Sequence, residues 1–190
     1  MLPPPFHLRT GAEAELDDAI AIDTDACEAY RAIGLPFDFA LEHPFAAAEV
    51  ARWRASARAG LLTFACLPDG ERVGFASLGT LDGRPYLDQL SVRRAYMRRG
   101  LGGALVEHAV GWSAAAGELW LTTYDRRVPW NQPWYERRGF VAVADEACGP
   151  EVRADLAHQR EVLPAPDGRV AMVLRHATRP GDAPRAELRR

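Results

Sequence analysis

The stretch DQLSVRRAYMRRGLGG, residues 88–103, carries most of the information about the fold of this chain. Leu90 and Val92 alternate with polar residues, which is typical of a half-buried strand, and an arginine-rich turn follows them. Gly100 opens a glycine cluster, and apolar residues then recur at helical spacing. A strand that runs through a basic, glycine-rich turn into a helix favours bound phosphate. Amide N–H groups and the positive end of the helix dipole both face the turn there, and glycine lets a ligand approach the backbone closely.

The composition limits the classes of protein to which such a site belongs. The 190 residues are 48% hydrophobic, which suits one globular domain, and we expect it to span residues 1–177. A formal net charge of −3 argues against a nucleic-acid partner. All 23 basic residues are arginine, so the P-loop, which needs GxxxxGK[S/T], is excluded. Residues 178–190 contain few apolar side chains, and we expect a disordered tail there.

Cysteine usage and hydropathy indicate the compartment. Cys27, Cys66 and Cys148 are widely spaced and odd in number, so they predict neither a disulfide framework nor a metal site. The opening MLPPPFHL lacks the charged and apolar regions of a signal peptide. Apolar runs in the chain are also too short to predict a membrane span. We therefore expect a cytoplasmic protein without a membrane partner, present as a monomer or homodimer.

The pattern along the chain predicts a mixed α/β (α+β) fold. Strands at 61–67, 73–81 and 85–92 are separated by short turn signals, so they should form an antiparallel meander. An antiparallel meander before the glycines argues against a dinucleotide-binding fold, and GLGGAL also lacks that motif's third glycine. The other predicted elements are a strand at 6–10, helices at 11–33, 46–59 and 101–116, a strand at 118–124, a short helix at 131–138, a strand at 139–144, a helix at 149–162 and a strand at 169–176.

A second motif, WNQPWYERRGF, lies downstream of the glycine cluster. Asn131 precedes a short predicted helix that carries Tyr135, and a Gly-Phe pair follows that helix. With Gly100 and Gly102, this pattern resembles the GNAT superfamily of N-acetyltransferases, whose pyrophosphate loop reads Gln/Arg-x-x-Gly-x-Gly/Ala. Met97 stands where the family usually has Gln or Arg. The order of predicted elements is also similar to that of the family.

The resemblance implies the fold and the chemistry. The GNAT fold is a mixed, mostly antiparallel sheet of about seven strands with about four to five flanking helices, splayed between the strands at 85–92 and 118–124. It implies an acetyl-CoA-dependent N-acetyltransferase, with no metal, that moves the acetyl group to a primary amine of a small molecule or peptide in a ternary complex. Tyr135 would be the general acid that protonates the leaving thiolate. The residues that would contact acetyl-CoA are Leu90, Ser91, Val92, Arg98, Arg99, Gly100, Leu101, Gly102, Gly103, Asn131 and Tyr135.

The general base is left open by the sequence. The family often has a Glu on the strand before the loop, whereas this chain has Asp88 and Gln89 there. Period-two alternation places Gln89 and Ser91 on one face of the strand and Asp88 on the other. Gln cannot accept a proton, so Asp88 and Glu42 are weak candidates, with His43 or an ordered water chain as further alternatives.

The sequence leaves three other points open. Gln89 and Met97 favour a catalytically impaired acyl-CoA-binding sensor or interaction module, and an enzyme that uses another acyl-CoA, such as succinyl-CoA, is a second alternative. Asn131 is equally compatible with a simple N-cap. The acceptor amine is not identified, although Glu42 would attract a cation and Phe37, Phe39 and Phe45 would form an apolar wall.

Overall fold

The fold is known from a computed structural model, which describes residues 5–176. The seven strands β1–β7 are, in order, His7–Thr10, Leu62–Cys66, Arg72–Leu81, Arg84–Val92, Glu118–Tyr124, Val141–Val143 and Arg169–Arg175. The five helices α1–α5 are Leu16–Arg31, Pro44–Arg58, Leu101–Ser113, Gln132–Glu136 and Pro150–Val162. The disordered tail expected at 178–190 lies outside the described residues.

The strands form one mixed sheet in the order β1-β2-β3-β4-β5-β7-β6. β4 and β5 run parallel, and the other neighbouring pairs are antiparallel. The turns between β2, β3 and β4 make the expected meander, whereas α3 provides the long crossover that a parallel pair requires. The predicted mixed, mostly antiparallel seven-stranded sheet with a splay is confirmed, and five helices flank it.

Helices cover both faces of the sheet. α1 and α2 pack on β2 and β3 through a core that contains Trp53, Phe64 and Phe75. α5 covers the same face further along, over Tyr86 and Trp120. α3 and α4 lie on the opposite face, where their side chains join a separate core with Leu residues of β3, β4 and β5. None of the helices formed by residues 5–176 is both long and apolar enough to span a bilayer.

A β-bulge interrupts β4 at Asp88. Ser77 pairs with Gln89 and Leu78 pairs with Leu87, so Asp88 has no partner of its own in β3. The extra residue shifts the alternation, and both Asp88 and Gln89 reach side chains on the α1/α2 face. The predicted separation of Asp88 from Gln89 on opposite faces is therefore wrong, because strict period-two alternation assumes an uninterrupted ladder.

The β3–β4 hairpin supplies the cap of α5. Gly149, at the N-cap position, has no side chain, and Asp82 takes its place by accepting the amides of Glu151 and Val152 at 2.8 and 3.2 Å. The Glu151 carboxylate in turn accepts the Asp82 N–H. A Cβ on Gly149 would lie 2.1 Å from the Asp82 carboxylate, so only glycine fits there. This arrangement is a capping box assembled between two distant segments, and it ties α5 to the hairpin.

The bulge also fixes α2, because Ser56 Oγ accepts the Leu78 N–H at 3.1 Å. Ser56→Ala should lower the free energy of unfolding by about 1–3 kcal/mol, the cost of stranding a buried amide donor. Urea unfolding followed by circular dichroism measures the change. The matched control is Ser113→Ala, whose hydroxyl donates to the carbonyl of Val110 and also pairs with His176 Nε2 at 2.9 Å, so that its loss leaves no backbone amide unpaired. An equal loss in the two variants would contradict the proposed role of Ser56 at the bulge.

Candidate active site

The sheet opens between β4 and β5. A single residue pair, Tyr86 with Trp120, joins these parallel strands, and beyond it they diverge. The β5-facing edge of residues 87–92 is therefore left without a strand partner. Backbone N–H and C=O groups need partners when they are buried, so this edge is a ready place for an extended ligand with amide groups.

The turn after β4 leads into the N-terminus of α3, and we call residues 98–103 the cradle. Arg98 and Gly100 both adopt positive φ, at 62° and 90°, which turns the chain sharply into α3. The first backbone bond of α3 runs from Ala104 N–H to Gly100 O at 3.0 Å. The amides of residues 101–103 therefore point out of the helix end, where they and the helix dipole favour an anion. Gly100 suits its position because side chains rarely adopt this φ.

The second motif lies beside this cradle. A Cβ on Gly102 would be 3.5 Å from the Trp134 ring, and one on Gly103 would be 3.3 Å from an Arg138 guanidinium nitrogen. The Arg138 guanidinium stacks on Trp134, with its carbon 3.6 Å from the ring centroid. Arg138 thus adds a positive charge next to the free amides. Sequence reasoning missed it, since nothing local distinguishes it from the other arginines of the second motif.

The arginines of the turn divide into two groups. Arg94 is held by Asp25 of α1, through its amide at 2.7 Å and its Nε at 3.2 Å. Arg93 donates from Nε to the carbonyl of Arg72 at 3.2 Å. Arg98 and Arg99 are exposed beside the cradle. The first pair therefore anchors the turn to the protein, and the second pair is free to face a ligand.

Tyr135 and Asn131 approach the splay from the α4 side. Tyr135 is 9% exposed and packs with Phe140, and burial holds the pKa of its phenol above the usual range. Asn131 occupies the N-cap position of α4, but its side chain makes no capping bond. Instead, its Oδ1 accepts the hydroxyl of Tyr30 in α1 at 3.0 Å. Asn131 therefore connects α1 to α4 across the splay and has its amide nitrogen left for a ligand.

A cluster of charged side chains lies at the bulge, on the α2 side. The Arg52 guanidinium of α2 is 2.7 Å from Asp88 Oδ1 and 3.0 Å from Asp155 Oδ1 of α5, and it also pairs with Glu49. The Asp88 side chain is 6% exposed. Tyr86 donates its hydroxyl to Asp155 at 3.0 Å. Three carboxylates thus share one guanidinium.

This imbalance of charge alters the titration of the cluster. Burial raises the pKa of Asp88 to about 6, with Arg52 opposing the rise and Asp155 adding to it. Burial likewise raises the pKa of Glu49 to about 8, against the opposing effect of Arg52 and with help from Asp88. Burial thus makes Asp88 and Glu49 easier to protonate than ordinary carboxylic acids.

Asp23 is a further buried acid close to β4. It accepts hydrogen bonds from Gln89 Nε2 and Ser91 Oγ, each at 2.6 Å, and from the Cys27 thiol at 3.8 Å. Burial raises the pKa of Asp23, and the bonds from Ser91 and Gln89 oppose that rise. Asp23 therefore fixes the orientation of Gln89 and closes α1 onto the strand that precedes the cradle.

The segment between α1 and α2 carries the remaining acid candidate. Glu42 is exposed there, and the neighbouring His43 caps α2 by accepting the Phe45 amide at 3.2 Å. Phe45 packs against His158 of α5 with a centroid separation of 5.6 Å. The segment therefore forms an aromatic contact with α5, and Glu42 lacks the buried, charged surroundings of Asp88.

The sequence comparison identifies the family to which this site belongs. A model of the acetyltransferase (GNAT) family matches residues 21–140, a range that includes most of α1, the meander, the cradle and Tyr135. The chain belongs to the GNAT family. The resemblance predicted from the two motifs is therefore confirmed, and with it membership of a family of acetyltransferases.

Solved GNAT structures have the same fold at low sequence identity. The PaiA N-acetyltransferase of Thermoplasma acidophilum, in complex with coenzyme A, gives a TM-score of 0.61 at 13% identity, with 90% of this chain and 99% of that chain covered. The ribosomal-protein-S18-alanine N-acetyltransferase of Escherichia coli gives 0.60 at 18%, with 94% and 99% covered. N-acetylglutamate synthase of Neisseria gonorrhoeae, in complex with coenzyme A and N-acetyl-glutamate, gives 0.62 at 15%, with 91% covered. The chain spans only 36% of that synthase.

The two GNAT motifs contain the residues of the cradle and of α4, whereas the charged cluster around Asp88 is assembled by tertiary contacts. The structure brings the cradle, Asn131 and Tyr135 to one splay, and it leaves Glu42 on the surface. Asp23, Glu49 and Arg52 were not singled out by the sequence. Only Asp23 carried a signal, since it is an acid on the otherwise apolar side of α1.

Proposed function

We propose that this GNAT protein is an acetyl-CoA-dependent N-acetyltransferase that acts on a primary amine in a ternary complex. One observation carries the proposal. The edge of β4 that has no strand partner beyond Tyr86 leads along the chain into the free amides at the start of α3. Asp88 belongs to this strand, and Tyr135 packs in the core on the α3 side of the sheet. The proposal takes residues 1–177 as the catalytic domain and the cytoplasm as its compartment.

The contacts to acetyl-CoA follow from the free backbone groups. The amides of residues 98–103, with Arg98, Arg99 and Arg138 around them, would hold the pyrophosphate. The main chain of Leu90, Ser91 and Val92 would pair with the amide groups of the pantetheine arm. The Leu90 and Val92 side chains pack in the core on the α3 face, which leaves the strand edge itself available to the ligand.

The transfer removes two protons from the ammonium nitrogen and adds one to the sulfur. Asp88 takes the first proton from the ammonium group, directly or through one water, so that the neutral amine can attack. The amine nitrogen bonds to the thioester carbonyl carbon as the C–S bond breaks, which gives the acetamide and coenzyme A. Tyr135 gives its phenolic proton to the sulfur, and its raised pKa keeps that proton in place until the thiolate forms. The second proton leaves the nitrogen after the attack and restores the phenol of Tyr135, directly or through water.

Asp88 suits the role of base better than Glu42 does. Its carboxylate lies at the bulge, is almost fully buried and has a pKa of about 6, close to neutrality. The ideal pKa of a general base lies near the working pH, because the group must be both ionised and basic. Glu42 is exposed and has no comparable environment.

Acetyl-CoA should bind through the amides of the cradle and raise the melting temperature. Gly103→Glu places a carboxylate among these amides, so it should weaken acetyl-CoA binding at least about tenfold in calorimetry. An acid in the first turn is favourable to the helix dipole, so the variant should still fold. Gly103→Gln is the control of equal size, and it should bind acetyl-CoA more tightly than the Glu variant. No thermal shift of the wild-type protein at millimolar acetyl-CoA would refute the proposed function.

Tyr135→Phe should lower kcat by about 10²-fold, because the leaving thiolate loses its proton donor. Calorimetric affinity for acetyl-CoA should stay within about threefold, since the ring and its packing remain. The control is Tyr96→Phe, whose hydroxyl donates to Glu71 at 3.2 Å on the outside of the turn. Unchanged turnover in Tyr135→Phe would remove this tyrosine from the role of acid. Binding of acetyl-CoA without turnover of any amine by the wild-type protein would favour the acyl-CoA sensor.

The activity should fall as the pH drops through about 6, because Asp88 is protonated below that value and cannot accept the amine proton. Asp88→Asn should lower kcat by about 10²-fold and abolish this limb of the pH–rate profile. Glu42→Gln is the matched control, because it neutralises the other acid candidate, and it should retain both the rate and the limb. A profile that keeps its limb in Asp88→Asn would assign the titration to another group.

A further inference from the structure

A cleft opens between α2 and the β3–β4 hairpin, on the face of the sheet that carries Asp88. Its volume is about 340 Å³, which is within the range of small-molecule sites. Its outer part is mainly apolar, and apart from Arg52 the α2 side contributes only small side chains. The residues that line the cleft include Ala55, Ala59, Gly79, Leu81, Tyr86 and Asp88.

Gly79 is the unusual residue of this cleft. It lies inside β3, where glycine costs stability because it has no side chain to pack. Its φ is not in the left-handed region, and a Cβ built on it meets no atom within 4 Å. Neither backbone strain nor crowding therefore explains the glycine. Glycine in a strand interior often marks close approach of a ligand, and here the empty space next to it is the cleft itself.

The inner end of the cleft is polar and carries an excess of negative charge. Arg52 and Asp88 line it, and Arg52 is shared among Asp88, Asp155 and Glu49. Arg52 Nε lies 2.7 Å from Asp88 Oδ1, so this ion pair forms the inner end of the cleft. The acidic side chains around Arg52 outnumber its single positive charge, and this excess of negative charge favours a second cation at the inner end.

The cleft ends at the site where the proposed reaction needs the acceptor. Asp88 is the bulged residue of β4, one residue beyond the Leu87–Leu78 pair and next to the point where β4 leaves β5. The proposed acetyl-CoA edge of β4 faces β5, whereas the cleft approaches Asp88 from the α2 side. Two ligands could therefore reach the same point from different directions without competing for space.

We propose that this cleft is the acceptor site and that it selects a primary amine on a slender apolar body, such as an arylalkyl or alkyl amine. This inference rests on the proposed function. The ammonium group replaces the missing cation at Asp88, and the apolar body lies along Gly79 and Leu81 between the small residues of α2. A bulky or highly charged body would find no polar partner in the outer part of the cleft.

The test fills the cleft without touching the charged groups. Gly79→Leu places a side chain in the open space, and a strand accepts leucine without backbone strain. The matched control is Gly111→Leu in α3, where a Cβ also meets no atom within 4 Å and no cleft is present. The probes are 2-phenylethylamine and, as a polar comparison, ethanolamine, with release of coenzyme A from acetyl-CoA as the readout.

In Gly79→Leu, the KM for 2-phenylethylamine should rise at least about tenfold, while the KM for acetyl-CoA stays unchanged and Gly111→Leu behaves as wild type. Wild-type protein should also prefer 2-phenylethylamine to ethanolamine in kcat/KM. An unchanged amine KM in Gly79→Leu would overturn the assignment of the cleft. The assignment would also be overturned if the wild-type protein acetylates other amines and Gly79→Leu does not affect their turnover.

A second readout separates the two proposals. Calorimetric titration of 2-phenylethylamine into the wild-type protein with coenzyme A present should show binding, and Gly79→Leu should lose it. Absence of amine binding to a protein that does bind acetyl-CoA would refute the cleft alone. Absence of acetyl-CoA binding would refute the proposed function and, with it, the inference that depends on it.

Discussion

The bulge at Asp88 is the constraint on which the rest of the site depends. An extra residue in β4 forces the Leu78 amide and the Asp88 carboxylate to find partners outside the ladder, and α2 supplies both through Ser56 and Arg52. Because an unpaired buried amide costs about 1–3 kcal/mol, α2 is held in a defined position over the strand. The same bulge places Asp88 and Gln89 on one face of the sheet, and the cleft beside α2 reaches Asp88 there.

The charged side chains near the bulge are not balanced one against one. Three acidic side chains contact a single guanidinium, and burial together with neighbouring carboxylates raises the pKa of Asp88 to about 6 and that of Glu49 to about 8. Uncompensated buried charge is costly, so this imbalance supports the role of base that we propose for Asp88. Across the splay, Tyr30 and Asn131 join α1 to α4, so the acid and base sides of the proposed reaction are held at a set distance by hydrogen bonds rather than by strand pairing.

A feature of the structure could be predicted from the sequence when the residues that form it are neighbours in the chain. The cradle at Gly100 and Gly102 was predictable because a strand, a turn and a helix N-terminus follow one another within a few residues. Tyr135 was predicted from the resemblance of one short motif, and the structure places it in the short helix that Asn131 precedes. Arg52 and Asp155 could not be found in this way, because α2 and α5 are far apart in the chain and meet only over β4. Asp23 was visible as an acid among apolar residues, but its partners Gln89 and Ser91 were not.

The sequence by itself determined the order of strands and helices and the glycine turn before α3, because hydrophobic periodicity, glycine positions and helix starts are properties of neighbouring residues. Its two motifs carried the resemblance to the GNAT family, which the family comparison confirms. The tertiary structure alone decided the face on which Asp88 lies, the pKa values at the bulge, and the cleft beside Gly79. The face on which Asp88 lies depends on strand register, since one unpaired residue in β4 reverses the alternation of side chains along the strand. The other two depend on burial and on charges brought from separate helices, which become defined only when those helices pack on the sheet.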